Sequence, residues 1–200
     1  MNWLIDKTAE NVYRITFNFQ RQPKTRTESI LLISDCHWDS AHCKLDLLSK
    51  TLEQADQNLS PVIIAGDFFD AMQGKWDPRA SQEGLRPEHR TGAYLDSLVN
   101  TAAEWLRPYA KNIALISYGN HETSIKKRHE VDLLQRLCHE LRRYGSPVMC
   151  GNYTGFVQVL GKVIDTKEQD QFTIHYHHGS GGGGEITRGM IDNSRVRGMY

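Results

Sequence analysis

Side chains that can bind metal ions follow three apolar runs of this sequence, each at the point where the run ends. They are Asp35 and His37 after residues 30–33, Asp67 and Asp70 after residues 62–65, and Asn120, His121 and Glu122 after residues 113–117. Short apolar runs that end at glycine or polar residues are typical of buried strands. Because open α/β sheets bind ligands outside the carboxyl ends of their strands, these side chains are expected to meet at one sheet edge. Such oxygen and imidazole donors suit Mn, Fe, Zn, Co or Ni.

A fourth segment, residues 172–179, has the alternation of a strand and also ends in histidines. Alternation predicts that His175 and His177 lie on one side of this strand and that His178 turns away. The same rule separates Cys36 from its neighbours Asp35 and His37, so Cys36 is expected in the core. His175 is the alternative imidazole donor if a ligand is missing elsewhere.

The order of these motifs resembles the calcineurin-like metallophosphoesterases. The family motifs D-x-H, G-D-x-x-D and G-N-H-D/E stand here at residues 35–37, 66–70 and 119–122, and a lone family histidine of the pattern H-x-G matches His177. The resemblance spans roughly residues 29–180. It implies an α/β fold, in which a layered αββα sandwich of two mixed sheets is flanked by helices.

The resemblance also implies a reaction, the hydrolysis of a phosphoester by a metal-bound hydroxide. Two divalent ions about 3.5–4 Å apart clamp the phosphate oxygens and acidify a bridging water. Manganese is the metal first expected. Residue by residue, the family pattern makes Asp67 the bridging carboxylate, gives Asp35 and His37 to one ion and Asn120 and His177 to the other, and makes His121 the general acid.

Two further carboxylates of the motifs have supporting roles in the family pattern. Asp70 is expected to orient a histidine ligand. Glu122 is expected either to support the ligands in the same way or to be an ordinary acid at a helix N-terminus.

The sequence departs from the family at its last motif, since it contains no G-H-x-H. The residues given reach Tyr200 at about the place where a further strand leading to that motif is expected, so the C-terminal part of the fold is expected to be incomplete. Two interpretations stay open. The chain is an active phosphoester hydrolase, or it is a catalytically degenerate relative that binds phosphate ligands or a partner.

Composition fits a single intracellular domain without an obvious polymer partner. The chain has 200 residues with 24 Lys+Arg and 24 Asp+Glu, so its formal net charge is zero. This balance gives no indication of binding to nucleic acid or an anionic membrane. Four cysteines without C-x-x-C spacing are expected to be reduced, as in a cytoplasmic protein. No apolar run is long enough to cross a membrane. The oligomeric state is left open.

Residues 71–92 form a predicted loop insertion directly after the second motif. Four side chains in it combine cations with an aromatic ring, which suits a phosphate and a base or sugar; they are Lys75, Trp76, Arg79 and Arg90. This pattern favours a nucleotide-containing substrate and hence a phosphodiesterase or nuclease, with phosphomonoesterase as the competing activity. The alternative for the loop itself is a solvated insertion with scattered charges.

The remaining elements are expected to frame the site within one domain, 1–200. Residues 1–28 are predicted to be an N-terminal extension whose first part, 1–19, forms an edge strand or hairpin. Apolar spacing predicts helices over 41–55, 94–106 and 124–143. Short strands are predicted within 148–163.

Overall fold

Two four-stranded sheets and four helices make up the described part of the chain. The computed structural model describes residues 2–21, 27–71 and 85–179. Its strands are β1 (Trp3–Ala9), β2 (Val12–Phe19), β3 (Leu31–Ile33), β4 (Val62–Ala65), β5 (Ile113–Ser117), β6 (Met149–Gly151), β7 (Thr154–Val163) and β8 (Gln169–His177). Its helices are α1 (Leu45–Gln57), α2 (Tyr94–Leu106), α3 (Asn120–His129) and α4 (Leu133–Arg143), with 3-10 turns at Pro87–His89 and Arg107–Asn112.

The first sheet is parallel and has the strand order β3-β4-β5-β6. Parallel neighbours need crossover connections, and helices α1 to α4 lie in those connections. Its central strand β4 is buried on both faces, with Val62, Ile63 and Ile64 between 0% and 2% exposed. This burial explains why the strand is a continuous apolar run rather than an alternating one.

The second sheet is mixed, with the order β1-β2-β7-β8. Strands β1 and β2 form an antiparallel hairpin, β2 pairs with β7 in parallel, and β7 pairs with β8 antiparallel. The N-terminal segment, expected as an edge strand or a hairpin, is a hairpin whose first strand lies at the edge of the sheet. The antiparallel pairing runs from Thr154 opposite His177 to Lys162 opposite Gln169. It carries the C-terminal end of β8 towards the open end of the parallel sheet.

Two hydrophobic cores separate the layers. One lies between the sheets, where Ile63 and Leu115 of the parallel sheet pack against Ile15 and Val159 of the mixed sheet. The other lies on the opposite face of the parallel sheet and is filled from the helices, chiefly by Leu52, Leu98, Ala102, Leu106, Leu134 and Leu137. The parallel sheet is thus covered on both faces.

The predicted α/β sandwich is confirmed, with three differences in detail. The first sheet is purely parallel, because each of its connections is a crossover. Helices in the described ranges pack on the parallel sheet, and a second helical layer on the mixed sheet is not found among those residues. The helix predicted over 124–143 is two helices, since Glu130 takes a left-handed backbone (φ 54°) and Asp132 caps α4 by accepting from the Gln135 N–H.

No helix in the described ranges combines the length and the hydrophobicity that a membrane span needs.

Candidate metal centre

The first two motifs lie side by side because the pairing of β3 with β4 continues past the strand ends. The N–H of Asp35 donates to the Gly66 carbonyl at 3.1 Å, and the N–H of His37 donates to the Asp67 carbonyl at 3.0 Å. The Trp38 N–H then donates to the Phe68 carbonyl at 2.7 Å. Two loops are thereby held in register, and their side chains are presented at one edge of the sheet.

Four of the eight described residues other than glycine that have a positive φ lie in these two loops. Asp35, His37, Asp67 and Ala71 all have positive φ, at 52°, 44°, 49° and 47°. Left-handed residues other than glycine are uncommon and each costs about 1–3 kcal/mol when held by the surrounding structure. Such strain persists where a site requires a particular side-chain direction, so four strained positions here indicate a functional site.

One group of donors consists of Asp35, Asp67 and His178, each offering an atom within 4.8 Å of the others. The Nε2 atom of His178 is 3.0 Å from Asp67 Oδ2 and 3.1 Å from Asn120 Oδ1. Its other ring nitrogen, Nδ1, donates to the Ala65 carbonyl at 3.1 Å. The ring is therefore fixed by the end of β4 while its second nitrogen faces the carboxylate.

The second group of donors consists of His37, Asp70 and His121. His37 Nδ1 is 3.0 Å from Asp70 Oδ1, so Nε2 is the nitrogen of that ring left for another ligand. His121 Nδ1 donates to the Asp70 carbonyl at 2.6 Å and also lies 3.5 Å from Asp70 Oδ1. The two imidazole rings meet edge to face with centroids 4.7 Å apart. Asp70 thus holds both histidines.

Asp67 belongs to the first group and also contacts His121 of the second. Its Oδ1 accepts from the His121 backbone N–H at 3.0 Å, and its Oδ2 lies 3.7 Å from His121 Nε2. Burial alone would raise the pKa of Asp67, but the hydrogen bonds from the His178 ring and the His121 N–H outweigh it and hold that pKa below its ordinary value. The hydrogen bond to Asp67 raises the pKa of His178 to about 9. Each of the two side chains therefore favours the charged form of the other.

Glu122 links the second and third motifs from inside the protein. The side chain is 1% exposed, and its two oxygens accept from the Phe69 N–H and the Gly119 N–H, both at 2.9 Å. Burial raises its pKa to about 7. Glu122 therefore caps α3 and also ties that helix to the loop that carries Asp67.

The structure brings His178, rather than His177, to Asp67 and Asn120. His177 Nδ1 instead accepts from the Gly179 N–H at 2.8 Å, and its ring packs on Tyr153. His175 and His177 lie on one side of β8, with ring centroids 6.5 Å apart, as alternation predicts. The histidine that reaches Asp67 is the residue after the strand's end, His178, whereas the family pattern H-x-G selects His177. Tyr153, which the sequence did not single out, donates to the Gly179 carbonyl at 2.7 Å and packs edge to face on His178.

Of the four predicted substrate contacts, the structure describes Arg90. Lys75, Trp76 and Arg79 lie outside the described residues. Arg90 donates through Nε and Nη2 to the Leu85 carbonyl, at 3.3 and 3.1 Å. It therefore secures the end of the loop.

Cys36 packs beside the helical core, and burial raises the pKa of its thiol to about 12. This thiol stays protonated at neutral pH, which is unlike a metal-binding thiolate.

Two glycines are required by close approach to the site. A Cβ on Gly119 would lie 2.0 Å from Asp67 Oδ1 and 2.4 Å from the Asp67 nitrogen, and a Cβ on Gly66 would lie 2.2 Å from His178 Nδ1. Gly66 also has a φ of +85°, which favours glycine. The glycines of the two motifs thus let Asp67 and His178 approach the backbone directly.

We expect Gly119→Ala to displace Asp67 and to lower the free energy of unfolding by about 1–3 kcal/mol, the usual cost of overpacking. Mn²⁺ binding should weaken in the same variant. Gly92→Ala is the matched control, because a Cβ on Gly92 meets nothing within 4 Å, and its stability should stay within about 0.5 kcal/mol of the wild type. Urea unfolding and calorimetric Mn²⁺ titration measure both quantities. Equal behaviour of the two variants would contradict the close-approach argument.

Comparison with known proteins agrees with this geometry. The family model described as Calcineurin-like phosphoesterase matches residues 28–192, which is more than half of the chain. The comparisons with curated proteins and with solved structures gave no match. The match contains every motif residue of the two donor groups, from Asp35 to His178. The chain therefore belongs to the calcineurin-like phosphoesterase family.

Proposed function

We propose that this protein hydrolyses phosphoesters with the help of two divalent metal ions held at the ends of β3, β4, β5 and β8. The observation that carries the proposal is that carboxylate, amide and imidazole donors from four segments surround Asp67. Atoms of Asp35 and His178 lie within 4.8 Å of Asp67, Asn120 Oδ1 is 3.1 Å from His178 Nε2, and the His37 N–H donates to the Asp67 carbonyl.

The donor set fits divalent ions on chemical grounds. Asp35 and Asp67 offer oxygens within 4.8 Å of one another, and bringing two carboxylates together is unfavourable unless cations accompany them. The imidazole ring of His178 lies beside these two carboxylates, and its Nδ1 is bound to a backbone carbonyl. Such a bond is the usual way of orienting a metal-binding imidazole. His37 is oriented in the same way by Asp70.

In the proposed assignment Asp67 is shared between the two ions. Asp35 and His37 hold one ion, and Asn120 and His178 hold the other. His178 takes the place that the sequence gave to His177. When bound, the two ions would neutralise the phosphate oxygens and acidify the attacking water. The donors include no thiolate, which is compatible with Mn, Fe, Zn, Co or Ni, and manganese remains the first expectation.

His121 is proposed to protonate the leaving group. Its Nδ1 carries a proton, because that atom donates to the Asp70 carbonyl, so Nε2 is the atom that exchanges a proton with the reacting group. Nε2 lies 3.7 Å from Asp67 Oδ2, which places the proton donor beside the proposed metal pair. Asp70 keeps this ring and His37 in place.

The proposed substrate class depends on residues outside the described ranges. A nucleotide or nucleic acid, cleaved by a phosphodiesterase or nuclease, stays a prediction based on Lys75, Trp76 and Arg79. Cytoplasmic location stays a prediction from composition.

We expect His178→Ala to weaken Mn²⁺ binding by about 100-fold or more, since loss of an outer partner of a metal ligand already costs about 10–100-fold. His177→Ala is the matched control and should bind Mn²⁺ nearly as well as the wild type. Isothermal titration of protein stripped with a chelator measures both. If the two variants exchanged these results, His177 would be the ligand and the assignment drawn from the structure would be wrong.

The activity itself is tested with metal-replete protein on mono- and bis-4-nitrophenyl phosphate, followed by phenyl phosphate as a substrate with a poorer leaving group. Chelation should abolish turnover. His121→Ala should keep its metals and lose about 10²–10⁴ in rate on phenyl phosphate, the usual scale for general acid catalysis. The loss should be smaller with the activated 4-nitrophenyl group.

An equal loss on both leaving groups would contradict the proton-donor role of His121. A wild-type protein that binds Mn²⁺ but turns over none of these substrates would favour the degenerate, ligand-binding relative over the hydrolase.

A further inference from the structure

A buried carboxylate that belongs to none of the family motifs lies directly behind the second donor group. Asp39 is 1% exposed and comes two residues after His37. Its Oδ1 accepts from the Asp70 N–H at 2.6 Å, and its Oδ2 accepts from the Ala71 N–H at 3.0 Å and from the Tyr94 hydroxyl at 3.1 Å. Two of these donors are backbone N–H groups at the end of the second motif, those of Asp70, its last residue, and of Ala71, which follows it.

The peptide group between Asp70 and Ala71 is held at both ends. Its N–H, on Ala71, donates to Asp39, and its carbonyl, on Asp70, accepts from His121 Nδ1. A peptide group is planar, so fixing the N–H also fixes the direction of the carbonyl oxygen. Hydrogen bonds in such a chain also polarise one another, so a carboxylate at the N–H strengthens the carbonyl as an acceptor.

The side chain of Asp70 is held from the same loop. His37 Nδ1 contacts Asp70 Oδ1 at 3.0 Å, while Asp39 binds the Asp70 nitrogen. Ala71 has a left-handed backbone, with φ at 47°, and needs such support. The loop that contains His37 and Asp39 thus forms hydrogen bonds with both the side chain and the backbone of Asp70.

We propose that Asp39 is a positioning residue of the site and acts on His121 through one peptide group. His37 is bound directly by the Asp70 carboxylate, whereas His121 is bound by a carbonyl that the Asp39 carboxylate fixes and polarises. Tyr94 holds Asp39 in the orientation that this chain of hydrogen bonds needs. The kinetic consequence rests on the proposed function, but the hydrogen-bond chain does not.

The test compares Asp39→Asn with the wild type and with Asp132→Asn. The Asn side chain keeps the size of Asp39 and removes its charge. Asp132 is a matched control, because it also accepts from a tyrosine hydroxyl, that of Tyr118 at 2.6 Å, and from a backbone N–H, that of Gln135 at 3.1 Å. Asp132 caps α4 and lies outside the donor groups.

The first readout is the proton NMR signal of the His121 Nδ1–H, which needs no activity. The signal is assigned by its loss in His121→Ala. In Asp39→Asn it should move upfield, because a weaker acceptor lengthens the hydrogen bond, and in Asp132→Asn it should stay in place. If the signal is the same in both variants as in the wild type, the inference is wrong.

The second readout is kinetic and metal-dependent. Asp39→Asn should lose about 10–100-fold in turnover of phenyl phosphate, the scale for removing a partner of a site histidine, and clearly less with 4-nitrophenyl phosphate. Asp132→Asn should show no such dependence on the leaving group. A loss of equal size on both substrates would reduce Asp39 to a purely structural role.

If Asp39→Asn does not fold, Tyr94→Phe takes its place, since it removes only the hydroxyl that holds Asp39. Circular dichroism checks the fold, and the NMR signal and the leaving-group dependence should change in the same direction by a smaller amount. No change in either would overturn the inference. If the wild type hydrolyses no phosphoester, the proposed function fails and the NMR readout alone decides the role of Asp39.

Discussion

The backbone pairing of β3 with β4 beyond the strand ends is the interaction on which the site depends. Three N–H donors of residues 35–38 bind carbonyls of residues 66–68 after both strands have ended. This register sets Asp35 next to Asp67 and His37 next to Asp70. The strain of four left-handed residues is tolerated there because the hydrogen bonds fix the backbone from both sides. A shift of this register by one residue would separate Asp35 from Asp67 and His37 from Asp70.

Electrostatics gives the site its second constraint. Four carboxylates, those of Asp35, Asp39, Asp67 and Asp70, lie on or beside two neighbouring loops. Three of them, Asp39, Asp67 and Asp70, are hydrogen-bonded to backbone N–H groups or histidine rings. Carboxylate oxygens are also donors that divalent ions prefer. The same hydrogen bonds orient the imidazole rings, so they determine both the electrostatics and the geometry of the site.

Much of this arrangement could be predicted from the sequence, because it depends on local patterns. The apolar runs before Asp35, Asp67 and Asn120 predict buried strands, which the structure contains as β3, β4 and β5. The histidine that lies beside Asp67 could not be chosen in the same way. Strand alternation predicts side-chain direction only within a strand, and His178 is one residue beyond the end of β8.

Other features could not be predicted because they depend on tertiary contacts. Asp39 looks like an ordinary polar loop residue in the sequence, and only the fold places it against the backbone of Asp70. His89 is 0% exposed and packs against Trp38, with ring centroids 5.5 Å apart, a contact that only the fold creates.

The most direct test of the account is anomalous scattering from crystals soaked in MnCl₂, recorded near the manganese absorption edge. The account predicts two peaks on either side of the Asp67 carboxylate, one contacted by Asp35 and His37 and the other by Asn120 and His178. A map with no peak at Asp67, or with manganese bound to His177 and away from His178, would contradict it.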